Sequence, residues 1–440
     1  MFKKKKPIMI YMIISFLLMA MLPFGGKQVS AETDSLNLKG SAAILVDGNT
    51  GKVLYEKNAD ELLGVASMSK MMTEYIVLEA IKEGKISWDQ KVTISKFIHD
   101  LSSPSLGVST VGLTEGETYT VKELYESMAI HSANASTVAL AELVGGSEEN
   151  FVKLMNEKAK KLGLKDYYFV NSSGLNNADM LGNHPEGTDA NDENKMSARA
   201  TAKLAYRLIN DFPEVLQIAS KPVLNFRGEE FKNFNWMLPG LVYEYEGVDG
   251  LKTGSTAYAG YNFTATAERN GQRLISVIMK TGSQQERFEE TKKLLDYGFN
   301  NFSKEQLFPK NHAVKGKTSL PVVKGKEDSV KIATKEPLSL VIKNGEKEQY
   351  KPKLVLDEKK INKEGKLTAP VKKGEVVGYV TYQYSGDDSG FLYPDQTVKV
   401  DVVAKEKVEK ANWFVLMFRG MGGFFGNLWD GITSKVSSWF

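Results

Sequence analysis

The stretch Ser67–Ile81 constrains the fold more than any other part of the chain. It carries Met71, Met72, Tyr75, Ile76, Val77, Leu78 and Ile81, is apolar on nearly every side, and stops before Gly84. A helix of that kind has to be enclosed by the rest of its own domain. The flanking sequence offers the enclosure. Ala42 to Val46 and Val53 to Tyr55 read as short strands joined by the turn-rich Asp47-Gly48-Asn49-Thr50-Gly51. Helical patterns recur at 121–128, 135–143, 150–162 and 197–209. Strands follow at 250–254, 261–267 and 273–279, the last two joined by Asn270-Gly271, and 286–302 reads as a closing helix. The pattern predicts an α/β or α+β domain built on an antiparallel sheet.

Composition narrows the chemistry. The 440 residues hold no cysteine and four histidines (His99, His131, His184, His312), with no H-E-x-x-H motif. Disulfides and thiol catalysis are therefore excluded, and no metal or cofactor site is expected. Fifty-seven basic residues against 54 acidic ones leave a formal charge of +3, too balanced for a nucleic-acid binder that works by bulk electrostatics. What remains is chemistry by hydroxyls, amines and carboxylates.

The ends of the chain differ from its middle. Lys3 to Lys6 followed by an apolar run from Pro7 to Phe24 and by Val29-Ser30-Ala31 reads as an export signal over residues 1–31. A first domain is expected over 32–308. From Val314 to Ala404 arginine is absent, lysine abundant and short alternating runs recur, so 309–404 reads as a small all-β domain, with Asn344-Gly345 marking a hairpin. A charged hinge beginning at Lys405 opens the last segment, 405–440. Within it, residues 413–440 hold three of the five tryptophans and apolar residues at three- and four-residue spacing, interrupted by five glycines, Arg419, Asp430 and Lys435. That pattern suits an amphipathic helix lying in a bilayer interface rather than crossing it. The protein is expected to be exported and to sit peripherally on the outer face of the cytoplasmic membrane.

Three short motifs carry the chemical signal. Ser67-Met68-Ser69-Lys70 opens the apolar helix, which places Lys70 on the same face as Ser67. A serine hydroxyl needs a base, and an amine in a dry pocket beside another cation can be one. Ser132-Ala133-Asn134 lies between two helical patterns and can aim a hydroxyl and an amide into a cleft. Lys252-Thr253-Gly254, with Ser255 after it, lies on a strand, where its lysine and hydroxyls suit a carboxylate and Gly254 permits close approach. Each motif alone fits an ordinary helix cap or an edge strand. In the order S-x-x-K, S-x-N, K-T-G they form the signature of penicillin-binding proteins and serine β-lactamases.

The chain resembles the low-molecular-mass D-alanyl-D-alanine carboxypeptidases of penicillin-binding protein 5 type, serine peptidase family S11. The segments Ala66–Thr73, Val248–Ser255, Phe169–Leu175 and Met196–Arg199 carry the likeness, together with the order of signal, catalytic domain, β domain and terminal helix. The resemblance implies an α+β transpeptidase fold followed by a small all-β domain and an amphipathic helix. It implies that Ser67 is acylated by a peptidoglycan pentapeptide stem ending in D-Ala-D-Ala, or by a β-lactam. Lys70 would then be the base and Ser132 the proton relay, with Asn134 hydrogen-bonding the substrate amide and positioning Lys70, and Lys252 keeping the site cationic. Backbone N–H groups of Ser67 and Ser255 would form an oxyanion hole. Thr253 and Arg287 would bind the terminal carboxylate, with Arg199 a second candidate. Class A β-lactamases share the three motifs but usually carry Asp where this chain has Ala133, and they need an E-x-x-L-N loop that none of Glu142, Glu148, Glu149 and Glu157 heads. A non-catalytic cell-wall binder would release no D-alanine.

Overall fold

The structure, a computed structural model, describes residues 35–413 and 416–417. The readings of residues 1–31 as a signal and of most of 413–440 as an interfacial helix lie outside them. No helix among the described residues is long and apolar enough to cross a membrane.

The first part is built on a five-stranded antiparallel sheet. Its strands are β1 (Ala42–Asp47), β2 (Val53–Lys57), β3 (Val248–Thr256), β4 (Gly260–Arg269) and β5 (Gln272–Thr281), in spatial order β3-β4-β5-β1-β2. β4 and β5 join through Asn270 and Gly271, both with positive φ (51° and 74°), the backbone that a two-residue hairpin turn requires. The closing of β1 on β5 brings the chain's first strand beside its last in this sheet, so β3 is left as an open edge.

The apolar helix is α1 (Lys70–Lys82), entered through a 3-10 turn at Ala66–Ser69. Ten of its residues are buried, among them Lys70 and Glu74. Around it stand α2 (Val121–His131), α3 (Asn134–Gly145), α4 (Glu148–Lys161) and α5 (Ala198–Asp211). α6 (Gln284–Asn301) closes over β4 and β5, its N-terminus capped by Ser283, whose hydroxyl accepts from the Glu286 N–H. The fold class is α+β. Two short helices at Lys96–Leu101 and Val215–Ala219, and a hairpin at 223–232, have no counterpart in the sequence reading, each being too short to show a period.

The second part is all-β. It comprises β6 (Phe302–Phe308), β7 (Ser319–Val323), β8 (Ser329–Thr334), β9 (Leu338–Lys343), β10 (Tyr350–Leu356), β11 (Leu367–Thr368), β12 (Val376–Tyr384) and β13 (Val400–Ala404). β6 pairs with β9, while the other six form a sheet in the order β10-β12-β13-β8-β7-β11 around a core of Val330, Ile332, Leu340, Val377 and Val380. One expectation is corrected here. Asn344-Gly345 does not close a hairpin, because β9 is paired with β6 and β10 with β12. Gly345 takes the positive φ (83°) of a turn, but the chain changes sheet at that point.

The two parts interlock through residues 385–396. The Val53 N–H donates to the Gly390 carbonyl at 2.9 Å and the Leu392 N–H to the Gly51 carbonyl at 2.8 Å. Lys52 pairs with Asp388 at 2.8 Å, and Leu392 is buried in the apolar core of the first part.

Candidate active site

The start of α1 is shaped by close approach. Ala66 has φ 47°, a backbone that a residue with a Cβ adopts at a cost, and the turn it makes is closed by Ser69, whose hydroxyl donates to the Ala66 carbonyl at 2.7 Å. Two glycines press on that turn. A Cβ on Gly174 would lie 2.0 Å from the Ala66 oxygen, and one on Gly254 would lie 2.4 Å from the Val65 oxygen and 3.1 Å from the Ser67 nitrogen. Any side chain at either position would push the Ser67 backbone out of place. β3 therefore runs directly against the turn that carries Ser67.

Lys70 points back along its helix toward Ser67, as helical side chains do. Its Nζ lies 2.9 Å from Ser67 Oγ, 2.7 Å from Asn134 Oδ1 and 2.6 Å from the Ser173 carbonyl. The amide and carbonyl oxygens can only accept, so each takes an N–H. An ammonium would give its third N–H to Ser67 Oγ, whereas the neutral amine, the form burial favours, turns its lone pair to that hydroxyl. Burial, and then the Lys252 charge, hold the Lys70 ammonium well below the usual lysine range, against an opposing pull from Glu74. A free amine beside a half-buried hydroxyl is what nucleophile activation needs.

The oxygens around Lys70 are themselves fixed. Asn134 opens α3, and its Nδ2 and its backbone N–H both donate to the Ser109 carbonyl at 3.0 Å. The Ser173 carbonyl belongs to a loop in which Asn171 Oδ1 accepts from the Gly174 N–H at 2.6 Å, and Glu148 Oε1 from the Ser172 N–H at 2.6 Å. Thr73 on α1 donates to the Ser172 carbonyl at 2.7 Å. Ser132 caps α2 in the left-handed region, φ 60°, which turns its hydroxyl toward β3. Lys252 Nζ donates to Ser132 Oγ at 2.9 Å and to the Thr253 carbonyl at 3.2 Å. Burial lowers Lys252, Glu74 pulls it back up, and Arg287 lowers it further, leaving it at about 8.

Ser67, Lys70 and Asn134 are thus joined by direct contacts, as are Ser132 and Lys252, and the Lys252 charge reaches Lys70. Thr253 and Gly254 are buried beside them on β3, with Ser255 exposed next along the strand. Arg287 lies in the first turn of α6, 3% exposed, its guanidinium 5.9 Å from the Tyr261 ring, and Tyr261 is the partner of Ser255 across the sheet. Its Nε is buried with no hydrogen-bond partner, and among the described residues no carboxylate pairs with it. Such a cation is available for a ligand's carboxylate.

Arg199 is not brought to this group. Its guanidinium is taken by two carboxylates, with Nε 2.7 Å from Asp60 Oδ1 and a terminal nitrogen bonded to Glu56 on β2. A guanidinium already held by two anions has no fork left for a third. The sequence reading also gave the Ser173 carbonyl no role and left Ser69 unassigned. The segment Phe169–Leu175 shows in the sequence only through its likeness to the family, since a backbone acceptor has no residue type to betray it.

The chain matches the D-alanyl-D-alanine carboxypeptidase family, peptidase S11, over residues 27–283. Residues 302–410 match the C-terminal domain of penicillin-binding protein 5. It is 33% identical over 415 residues to the D-alanyl-D-alanine carboxypeptidase DacF of Bacillus subtilis, spanning 93% of this chain and 97% of that one. To DacC of Escherichia coli it is 34% identical over 403 residues, 91% and 89% of the two chains. Among solved structures, penicillin-binding protein 3 of Streptococcus pneumoniae, described as a peptidoglycan synthesis regulatory factor, superposes with a TM-score of 0.72 at 34% identity, covering 84% of this chain and 100% of that one. Penicillin-binding protein 5 of Haemophilus influenzae gives 0.66 at 31%, covering 85% and 98%. The protein belongs to the penicillin-binding protein 5 type of the serine D-alanyl-D-alanine carboxypeptidases, peptidase family S11.

Proposed function

We propose that this chain removes the terminal D-alanine from peptidoglycan pentapeptide stems through an acyl-enzyme on Ser67. The observation that carries the reading is the environment of Lys70 Nζ, which has two obligate acceptors and one hydroxyl around a buried amine. Lys70 takes the Ser67 proton as Oγ bonds to the carbonyl carbon of the penultimate D-alanine. The developing oxyanion is met by the backbone N–H groups of Ser67 and Ser255. Ser132, held by Lys252, gives its proton to the nitrogen of the departing D-alanine as the C–N bond breaks and takes in return the proton that Lys70 received, which leaves Lys70 a free amine. Water then attacks the ester carbonyl as Lys70 takes its proton, and that proton goes to Ser67 Oγ as the ester C–O bond breaks. The stem lies along the open edge of β3, where unpaired backbone groups can hold an extended chain. Its terminal carboxylate meets Arg287 and the Thr253 hydroxyl. A β-lactam acylates the same hydroxyl, and its ring-opened ester is released slowly.

Export and membrane attachment belong to the same reading. Residues 1–31 direct export and are cleaved, and 413–440 hold the protein on the outer face of the cytoplasmic membrane. The supports are the lysine-led apolar run and the aromatic, glycine-broken periodicity. Mass spectrometry after exposure to penicillin tests the catalytic proposal: the adduct is expected on Ser67 and absent from Ser67→Ala, and an adduct elsewhere defeats it. Removing 413–440 is expected to free the protein from membranes without loss of peptide hydrolysis, and a truncated protein that stays membrane-bound rules the anchor out.

A further inference from the structure

One buried acid stands behind the two lysines and has no part in the steps above. Glu74 follows Lys70 by four residues on α1, hence on the same face, and is 2% exposed. Its Oε2 accepts from the Tyr125 hydroxyl at 3.1 Å. Tyr125 is fully buried on α2, with its ring edge-on to Trp88 at 5.2 Å. Among the described residues no lysine or arginine forms a direct ion pair with Glu74. Two buried amines, Lys70 and Lys252, thus share the neighbourhood of a single carboxyl group.

We infer that Glu74 is a positioning residue for the reaction, a fixed counter-charge that keeps Lys252 cationic and thereby keeps Lys70 a free amine. This inference rests on the acyl-enzyme reading given above. The alternatives are that Glu74 stays protonated as a neutral hydrogen-bonding group, or that it only fills space. The neighbouring charges favour the counter-charge. On Lys252 the attraction of Glu74 outranks the repulsion from Arg287, whereas on Lys70 the repulsion from Lys252 outranks the attraction of Glu74. Glu74 thus attracts both amines, while Lys70 also feels the repulsion of Lys252. Burial raises Glu74 to about 7, against the pull of Lys252, the Tyr125 hydrogen bond and Lys70.

The other elements packed on α1 do not compete for Glu74. Lys158 of α4 is held by Glu79, Arg207 of α5 by Asp211, and Lys203 of α5 by the Gly163 carbonyl. Glu142 of α3 acts on Glu148 instead, and Glu214 reaches this cluster only through Tyr125.

The sign follows. Acylation requires Lys70 neutral, which sets the acid limb of the rate, and Lys252 charged, which sets the alkaline limb. Removing the Glu74 charge lets Lys252 lose its proton earlier, so the alkaline limb moves to lower pH.

The test is the rate of acylation by a fluorescent penicillin across about pH 6 to about pH 9, using the full chain, Glu74→Gln, Glu74→Asp and Tyr125→Phe. Glu74→Gln is expected to bring the alkaline limb down by about one pH unit, so its deficit relative to wild type grows about tenfold across the range. Glu74→Asp keeps the charge and should restore the limb. Tyr125→Phe, which takes a donor from the carboxylate, should shift it the same way as Glu74→Gln, by less. A Glu74→Gln deficit that is constant with pH, or no deficit, overturns the inference. If Glu74→Gln does not fold, an unshifted limb in Tyr125→Phe does the same. Failure of the underlying reading looks different: the wild type itself would then form no adduct on Ser67.

Discussion

The first part of the molecule and its β part bury very different side chains. Around the sheet and α1 the interior holds Lys70, Lys252, Glu74, Glu148, Glu290 and Arg287, whereas beyond Phe302 the only buried polar side chains among the described residues are Thr334 and Thr381. The β part is rich in lysine, but it keeps those lysines at the surface, in exposed pairs such as Lys310 with Glu336 and Lys326 with Glu409. Burying a charge is costly unless it is paired or used. Lys70, Lys252, Glu74 and Arg287 have no ion-pair partner among the described residues and belong to the proposed site, whereas Glu290 is held by Lys293 and Glu148 by the Ser172 N–H.

Four substitutions probe that contrast, from the largest effect down. Gly174→Ala sets a methyl group against the Ala66 carbonyl beside the nucleophile, so the acylation rate should fall by about 100-fold. A rate near wild type would mean the turn is soft. Ile332→Ala, in the β core, should cost about 2–5 kcal/mol in denaturant unfolding while acylation of the folded protein is unchanged. A large rate defect there would erase the distinction between the two parts.

Glu148→Gln probes a buried acid in the first part that touches the site only through the Ser172 N–H. Burial raises Glu148 to about 7, so from about pH 4.5 to about pH 7 the folded state holds a proton that the unfolded state has released. Wild-type stability should therefore fall with rising pH in that window, by at most about 1.4 kcal/mol per pH unit from this group. The variant should lose that share of the slope, as thermal melts at several pH values would read, and an unchanged slope counts against a proton held there. Asp388→Asn removes the partner of Lys52 at the junction and should cost about 1 kcal/mol, with no change in acylation rate.

What the sequence disclosed depended on how local each feature is. Asn270-Gly271 announced a hairpin and made one, because its flanking strands β4 and β5 have each other as partners. Asn344-Gly345 sends the same signal and fails, because strands far along the chain, β6 and β12, claim its neighbours. Nothing within a few residues of Gly345 encodes that competition. At the site, Ser67 and Lys70 are one helical step apart, so their meeting was legible from spacing. Ser132 and Lys252 meet across 120 positions, and only the co-occurrence of motifs pointed to them. Arg199 is a second candidate beside Arg287 by sequence, and the partners that occupy it, Glu56 and Asp60, lie some 140 residues upstream. Glu74 sat within the helix pattern as an acid whose surroundings the spacing did not disclose. Its neighbours Tyr125 and Lys252 come from elsewhere in the chain.

Leu392 gives the junction a meaning beyond adhesion. Its side chain is a piece of the first part's interior that arrives from the far side of the β part. A protein cut near residue 301 would keep every motif residue yet lose the plug for that niche. It should be stickier and easier to unfold than an undivided parent, and a peptide spanning 385–396 supplied in trans would be the natural patch.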